Sequence, residues 1–208
     1  MTTFLRCCLL SACLAATAAG CSILPEKTEI ALFAPDPRLQ ADPARPTVDW
    51  QLVVPRPVGP ALVDSARITV RPAPGELQVY KAAAWTQPPP DLVQDAVVHA
   101  FEDSGRIGGV ARRGDGINAE YTLLLDVRRF DSDYAEPGGP AAVVEIGAKL
   151  LADDDDRVVA NRVFRASVPA RGTDVASVAA AFEQALGEAT GGIVGWTLAE
   201  GGRHEAAQ

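Results

Sequence analysis

The sequence predicts an α+β protein in two layers, with a mostly antiparallel sheet and two helices packed on one face of that sheet. Two patterns carry this prediction. Apolar side chains alternate with polar ones along several short runs, which is typical of half-buried strands. Two longer segments, residues 88–105 and 173–200, repeat apolar side chains every three or four residues, as amphipathic helices do. Turn residues separate the strand runs, so neighbouring strands are expected to run antiparallel.

The first strands precede the first helix. Residues 48–54 form an apolar, β-prone run that ends at Pro55, and two further prolines follow closely. Since proline cannot donate to a ladder of backbone hydrogen bonds, this run is predicted to lie at a sheet edge. Residues 67–71 and 77–80 both alternate apolar and polar side chains across a Pro-Gly turn, which predicts a hairpin.

The first helix is predicted to begin at the proline run of residues 88–90. Proline suits the first helical turn because its missing N–H would have no partner there, and Asp91 lies near the positive end of the helix dipole. Gly105 fits the left-handed position that ends many helices. Residues 107–111 are predicted to form a short strand after it.

Three further alternating runs, at residues 121–128, 144–150 and 158–168, predict an antiparallel meander. The connections contain a Pro-Gly-Gly-Pro turn at residues 136–140 and four consecutive aspartates at residues 153–156. Both are polar or turn-forming, as hairpin loops usually are.

The last helix is predicted to be capped by Asp174, with an apolar stripe that continues to Trp196. Phe182 lies in the middle of this stripe and is expected to cover the sheet. Two glycines at residues 191–192 are expected to weaken or bend the helix. A polar tail is predicted over residues 201–208.

Residues 1–20 resemble a bacterial lipoprotein signal peptide. Arg6 supplies the positive start, and the apolar run at residues 7–16 is too short to span a bilayer. The sequence Ala-Ala-Gly-Cys-Ser then resembles a lipobox, which places cleavage between Gly20 and Cys21 and a lipid anchor on Cys21. Several acyl chains on one residue would attach the protein firmly, because each buried methylene contributes about 0.8 kcal/mol.

An ordinary signal peptide is the alternative, since residues 16–18 also form an Ala-x-Ala cleavage site. That cleavage would leave Cys21 as an exposed thiol in an oxidising compartment, because the other three cysteines all precede it. Lipidation is therefore favoured. Ser22, in place of aspartate after the cysteine, favours transfer to the outer membrane in lipoproteins that resemble this one.

Residues 21–47 are predicted to form a lipidated N-terminus and a proline-rich tether, with one short strand at residues 30–33. A tether of roughly 26 residues could reach at most about 80 Å as polyproline. Residues 48–200 then form a single globular domain, for which the length is sufficient to bury a core.

The composition excludes some partners. The formal net charge is −8, which argues against nucleic acid and against charge-driven binding to anionic lipids. Hydrophobic residues make up 48% of the chain, as in ordinary soluble domains, and no apolar run after Cys21 approaches the length needed to span a membrane. Any membrane attachment is therefore expected through the lipid anchor or a partner.

The sequence contains only incomplete matches to catalytic and metal-binding motifs. His204 and Glu205 begin like the zinc motif H-E-x-x-H, but Gln208 stands where its second histidine is needed. The aspartates of residues 153–156 lack the glycine and the distal glutamate of a calcium loop, so a solvated turn is favoured. No P-loop or nucleophile-elbow motif is present, and no cysteine follows Cys21. No enzyme activity, metal or cofactor is predicted.

Trp85, Gln87 and Pro88 form the one candidate docking site, between a strand and the first helix. A tryptophan before a proline run can bind a partner. It can equally close one end of the core, and this second interpretation is favoured because tryptophan is highly buried on average.

The order and spacing of several segments resemble the auxiliary lipoproteins of ABC-type transport, the PqiC-like group. The resemblance spans residues 30–198 and rests on residues 62–68, 76–80, 119–123 and 161–164, together with Trp85, Phe130 and Trp196. It implies a non-enzymatic component of an intermembrane lipid transport system, in which an MCE-domain protein, a permease and an ATPase are the partners. The lipoprotein would lie on the periplasmic face of the outer membrane and dock the MCE assembly.

Two other functions are kept as alternatives. A soluble periplasmic lipid carrier would need an apolar cavity, and the helices and sheet are expected to use up the apolar side chains that could line one. An enzyme is the weakest alternative. We also expect self-association, for example as a ring, because a symmetric assembly would match a symmetric partner.

Overall fold

The computed structural model describes residues 29–39, 42–135, 139–155 and 157–207. Over these residues the chain forms eight strands and two helices. In chain order they are β1 (Ala31–Phe33), β2 (Gln51–Val54), β3 (Arg67–Arg71), β4 (Gln78–Trp85), α1 (Pro89–Ser104), β5 (Gly109–Arg112), β6 (Tyr121–Asp133), β7 (Ala141–Ala152), β8 (Arg157–Pro169) and α2 (Val175–Glu205).

The α+β class is confirmed, but the prediction of a mostly antiparallel, two-layer sheet is wrong. The strands form one curled, mixed sheet that resembles half a barrel. Among the described strands, the pairs β1–β4, β2–β5, β2–β6 and β3–β6 are parallel, whereas β3–β4, β6–β7 and β7–β8 are antiparallel. Turn sequences indicate the antiparallel hairpins, but parallel pairs join segments far apart in the chain, and alternation alone does not encode them.

Strand β2 is not at an edge, as the prolines suggested, because it lies between β5 and β6. Pro55 and Pro57 follow the last ladder residue, so they remove no hydrogen bond from the pairing. The chain then stays beside β6. Val58 N donates to the carbonyl of Leu125 at 3.1 Å and Val58 O accepts from Val127 N at 2.8 Å. Segment 51–71 therefore lines one edge of β6, while β7 lines the other.

The predicted hairpin and meander are both confirmed. Val70 and Thr69 pair with Gln78 and Val79 across β3 and β4, and a register shift follows near Ala82, whose φ is +54°. Strands β6, β7 and β8 pair antiparallel over nearly their whole lengths. These three strands form the most extensively paired part of the sheet.

Helix α1 begins and ends where the sequence predicts. Pro88 is its N-cap and two prolines occupy the first turn, while Gly105 adopts the left-handed conformation with φ of +57° at the C-cap. Arg56 binds both Asp91 in this first turn and Asp64, with N–O distances of 2.6 Å to each. The helix start is thereby tied to the segment that follows β2.

Helix α2 is longer than predicted. Asp174 caps it by accepting a hydrogen bond of 2.9 Å from Ser177 N, as expected. The helix then continues through residues 191–192 and ends at Glu205, so residues 201–205 are helical and not part of a polar tail. Its glycines serve close packing: a Cβ on Gly201 would overlap the ring of Trp50.

The segment predicted to be a tether instead packs on the domain. We call residues 31–39 and 42–47 the N-terminal strap. Strand β1 pairs with β4, and Pro37, Leu39 and Arg45 then lie along a face of α2 formed by glycines. A Cβ on Gly187 would lie 3.2 Å from Pro37, and Arg45 donates to the carbonyl of Gly191 at 3.2 Å. The reach of about 80 Å is therefore wrong, because most of the strap is held down.

Both helices cover the same face of the sheet, as predicted. Trp85, Phe130 and Phe182 form an aromatic cluster at the centre of the core, and all three are at most 1% exposed. The rings of Phe130 and Phe182 stack at a centroid distance of 4.8 Å. Phe101 of α1 is also fully buried. The covered face of the sheet is thus fully used by packing.

Candidate partner-docking surface

Gly20 and Cys21, the predicted cleavage and lipidation residues, lie outside the described residues. The described chain begins at Glu29, and β1 begins at Ala31. Ala31 follows Cys21 by ten positions, a stretch that spans at most about 35 Å when extended. A lipid on Cys21 would therefore hold the β1 edge of the sheet close to the bilayer.

Trp85 lies in the core and not at the surface. Its indole packs edge-on against Phe130 and Phe182, with ring centroids 5.6 and 5.1 Å apart. Trp85 is the last residue of β4, and its side chain points to the face that the helices cover. The docking interpretation is thereby corrected for Trp85, because a side chain buried to this degree offers no surface to a partner.

Gln87 and Pro88 are half-buried at the start of α1. Gln87 Nε2 donates to Asp95 at 2.7 Å, and Arg112 donates to the other oxygen of Asp95, also at 2.7 Å. Burial alone would raise the pKa of Asp95, but these two hydrogen bonds and the positive charge of Arg112 lower it. The contacts join α1 to β5, and a docking role for Gln87 and Pro88 stays a prediction.

His204 lies in a cleft of about 440 Å³, where the end of α2 meets the start of β6. Arg157 lies 3.0 Å from Nε2 of His204 and can only donate, so Nε2 accepts and Nδ1 donates to the Tyr121 hydroxyl, also at 3.0 Å. His204 therefore fastens α2 to β6 and β8. Carboxylates of the acidic turn, such as Asp153, line the cleft. Over the residues that the structure describes, no three metal-ligating side chains converge.

An apolar groove lies on the sheet face that points away from both helices. It crosses β6, β7 and β8 and has a volume of about 230 Å³. Three of its apolar side chains are exposed to solvent: Leu124 by 38%, Val163 by 46% and Val58 by 65%. Apolar side chains that share one groove are less common on a surface than isolated ones and indicate a contact site.

Three basic residues, Arg128, Lys149 and Arg162, line this groove, which we call the Leu124 groove. Arg128 lies across Gly147, where a Cβ would approach its guanidinium to 2.9 Å, so the glycine makes room for the arginine. Arg128 also pairs with Asp126 at 3.3 Å. Lys149 is exposed and makes no ion pair within the described residues. The groove therefore carries a small positive excess on a protein whose net charge is −8.

No site was predicted at this groove, although the sequence contains a signal for it. In the alternation of β6, Leu124 falls in the outward-facing set with Thr122 and Asp126, where polar residues are expected. Val163 breaks the alternation of β8 in the same way, on the face opposite to Phe164. The pairing of Gly147 with Val163 and Asp126, known only from the register, brings these residues together.

Similar proteins share the fold over most of the chain. The crystal structure of protein XCC0632 from Xanthomonas campestris is 52% identical, covers 85% of this chain and 99% of its own, and superimposes with a TM-score of 0.82. A second crystal structure, of an uncharacterized protein, is 14% identical with a TM-score of 0.63 over 80% of this chain and 97% of its own, which shows the fold alone.

One curated relative matches at the level of sequence. The uncharacterized protein bll6063 from Bradyrhizobium diazoefficiens is 28% identical over 156 residues, which are 75% of this chain and 41% of the relative. The chain thus spans about two fifths of that relative's length.

The family is established by a match over most of the domain. Within the described residues, neither helix is long and apolar enough to cross a membrane. The model of the family described as the ABC-type transport auxiliary lipoprotein component matches residues 31–194, from β1 into α2. This match confirms the resemblance seen in the sequence, and the chain belongs to the ABC-type transport auxiliary lipoprotein family.

Proposed function

We propose that the protein is a non-enzymatic auxiliary component of an ABC-type intermembrane lipid transport system. In this proposal it is anchored in the outer membrane through Cys21 and docks an MCE-domain protein on the periplasmic side. Family membership supports a role beside an ABC-type transporter. The observation that carries the docking role is the Leu124 groove, where apolar side chains stay exposed on a firmly paired part of the sheet.

The dimensions of the groove favour protein side chains as its occupants. Its volume of about 230 Å³ lies below the roughly 300–1,000 Å³ of most small-molecule pockets. A partner could place one or two apolar side chains between Leu124 and Val163. Lys149 and Arg128 would favour a carboxylate beside them, since opposite charges at the rim guide association.

A lipid carrier is the alternative function. Two larger clefts of about 440 Å³ each lie beside His204 and between the end of β8 and the start of α2. The second is lined by short exposed side chains such as Ala176 and Ala180. An acyl chain in either cleft would remain largely in contact with water, which removes most of the gain from burial.

The anchor is tested by replacing Cys21→Ala and fractionating the cells. We expect the variant to be lost from the outer membrane, because the acyl chains supply most of the attachment. A Ser22→Asp variant is the matched control. It keeps the cysteine and should remain membrane-bound, but in the inner membrane. If Cys21→Ala still reaches the outer membrane as efficiently as the parent, the anchor proposal is wrong.

Docking is tested with the soluble protein from Ser22 onward and its purified MCE partner. Leu124→Glu places a carboxylate in the apolar groove and should weaken binding at least about tenfold, equivalent to about 1.4 kcal/mol. Val158→Glu is the matched control, because Val158 is also an exposed apolar residue of the meander but lies outside the groove. Equal affinities for the two variants would rule out docking at the groove.

Native mass spectrometry of the same soluble protein separates docking from lipid carrying. We expect a self-associated species, such as a ring, that retains no phospholipid. A monomer that carries one phospholipid per chain would contradict the docking function and support the carrier.

A further inference from the structure

The β1 edge of the sheet carries an exposed apolar pair. Ile30, the residue before β1, is 62% exposed, and Leu32, which pairs with β4, is 65% exposed. Their neighbour Phe33 points the other way and packs against the core. Since side chains alternate along a strand, Ile30 and Leu32 lie on the sheet face that the helices leave uncovered.

A basic side chain lies in the same row. Leu32 is paired with Ala84 of β4, and Ala84 is paired with Arg67 of β3. Residues paired directly across a sheet share a face, so Leu32 and Arg67 lie on the same face two strands apart, about 10 Å. Arg67 is exposed and makes no ion pair among the residues that the structure describes.

This edge is held rigidly rather than carried on a loose tether. The three residues of β1 pair in parallel with β4, and Thr86 N donates to the carbonyl of Phe33 at 2.9 Å. The strap then continues across α2 through Leu39 and Arg45. Ile30 and Leu32 therefore keep a fixed orientation relative to the whole domain.

The length of chain before this edge limits its distance from the bilayer. Ile30 follows Cys21 by nine positions, which span at most about 32 Å. A surface held this close to a membrane meets it at a high effective concentration, so even a weak contact is populated. Apolar side chains beside a cation suit the boundary between acyl chains and phosphate headgroups.

We propose that Ile30, Leu32 and Arg67 form a second membrane contact, in which the two apolar side chains enter the bilayer surface and Arg67 binds a lipid phosphate. This inference rests on the proposed anchoring at Cys21. It assigns to the β1 edge the role of setting the orientation of the anchored domain. The Leu124 groove begins on β6, which β4 and β3 separate from β1, and the same contact leaves it available to a protein partner.

The test uses the full lipidated protein in vesicles of phosphatidylethanolamine and phosphatidylglycerol. The sequence has no cysteine after Cys21, so Leu32→Cys introduces a single thiol for an environment-sensitive nitrobenzoxadiazole dye. Leu124→Cys is the matched control, an exposed leucine on the same sheet face. A lipid with a nitroxide near its headgroup is then added. We expect it to quench the dye at Leu32 and to leave the dye at Leu124 bright.

Two surface variants test whether Ile30 and Arg67 contribute to the membrane contact. Ile30→Ser and Arg67→Glu should each reduce quenching of the Leu32 dye, and neither removes a buried contact, so folding should be unaffected. If the protein floats with the vesicles but the Leu32 dye is not quenched, the membrane contact is wrong and the anchor stands. A Leu32 signal that changes only with protein density indicates a second copy at this edge and also overturns the contact. If the protein does not float, both proposals fail together.

Discussion

The two faces of the curled sheet bury the same kind of side chain to different degrees. Leu123 and Leu124 are adjacent in β6, yet Leu123 is fully buried under the helices and Leu124 is 38% exposed. The covered face holds the aromatic cluster, whereas the open face holds the Leu124 groove at one end and an ionic cluster at the other. The first face therefore stabilises the fold, and the second leaves apolar surface for contacts with other molecules.

The open face is itself divided. At its far end, Arg129 donates to Asp131 and Asp133 at 2.6 Å each, and Arg71 lies 3.5 Å from Asp131. These two aspartates are less than 10% exposed. Buried charges must be paired, and at this end of the face the arginines and aspartates bind one another. The groove end instead keeps Leu124, Val163 and Val58 exposed.

The largest effect is expected on the covered face. Phe182→Ala removes the ring that packs between Trp85 and Phe130 and should lower the free energy of unfolding by about 3–5 kcal/mol. Chemical denaturation monitored by circular dichroism gives this value. A midpoint unchanged within error would show that α2 does not bury this stripe against the sheet.

An intermediate effect is expected in the ionic cluster. Asp133→Asn should cost about 1.5–3 kcal/mol at neutral pH, because it removes the charge that accepts a hydrogen bond from Arg129. Burial alone would raise the pKa of Asp133, but the hydrogen bonds from Arg129 and the Ala135 N–H, with the neighbouring arginine charges, lower it. A lowered folded pKa means that the stabilisation is complete above the unfolded value of about 3.9 and disappears as the pH falls below it.

Denaturation of both proteins from pH 7 downward checks this prediction. The difference between the parent and Asp133→Asn should be constant down to about pH 5 and shrink below about pH 4. Asp126→Asn is the control, since its pair with Arg128 is about half exposed and should be worth less than about 1 kcal/mol. A difference that does not change with pH would show that the charge of Asp133 is not what stabilises this end.

The smallest effect on stability is expected in the groove. Leu124→Glu should lower the free energy of unfolding by only about 1 kcal/mol, because the side chain is already partly in contact with water. The same variant is expected to lose partner binding. A strong destabilisation would mean that the groove is part of the core, and the distinction between the two faces would then fail.

Much of the local structure could be predicted from the sequence. The bounds of α1 followed from its prolines and Gly105, and the cap of α2 followed from Asp174, because caps act over only a few residues. The hairpins followed from alternation and turns. The end of α2 was missed because Gly201 has a weak helix propensity, which its packing against Trp50 overrides.

The candidate sites also differ in whether they depend on local sequence or on tertiary packing. The lipidation motif at Cys21 is a local sequence pattern and stays a prediction, because it lies outside the described residues. Trp85 could not be assigned to core or surface from the residues next to it in the sequence. Its burial depends on contacts with Phe130 and Phe182, which are distant in the chain. The Leu124 groove depends on the register of three strands, which no single segment contains.

The sequence by itself determined the helices, the hairpins, the predicted export signal and the resemblance to the family, because each depends on residues close together in the chain. The tertiary structure decided the parallel pairings, the packing of the strap on the glycines of α2 and the placing of apolar side chains on the open sheet face. These features join segments separated by many residues, such as Arg45 with Gly191. Their energies depend on contact in space, which local periodicity does not record.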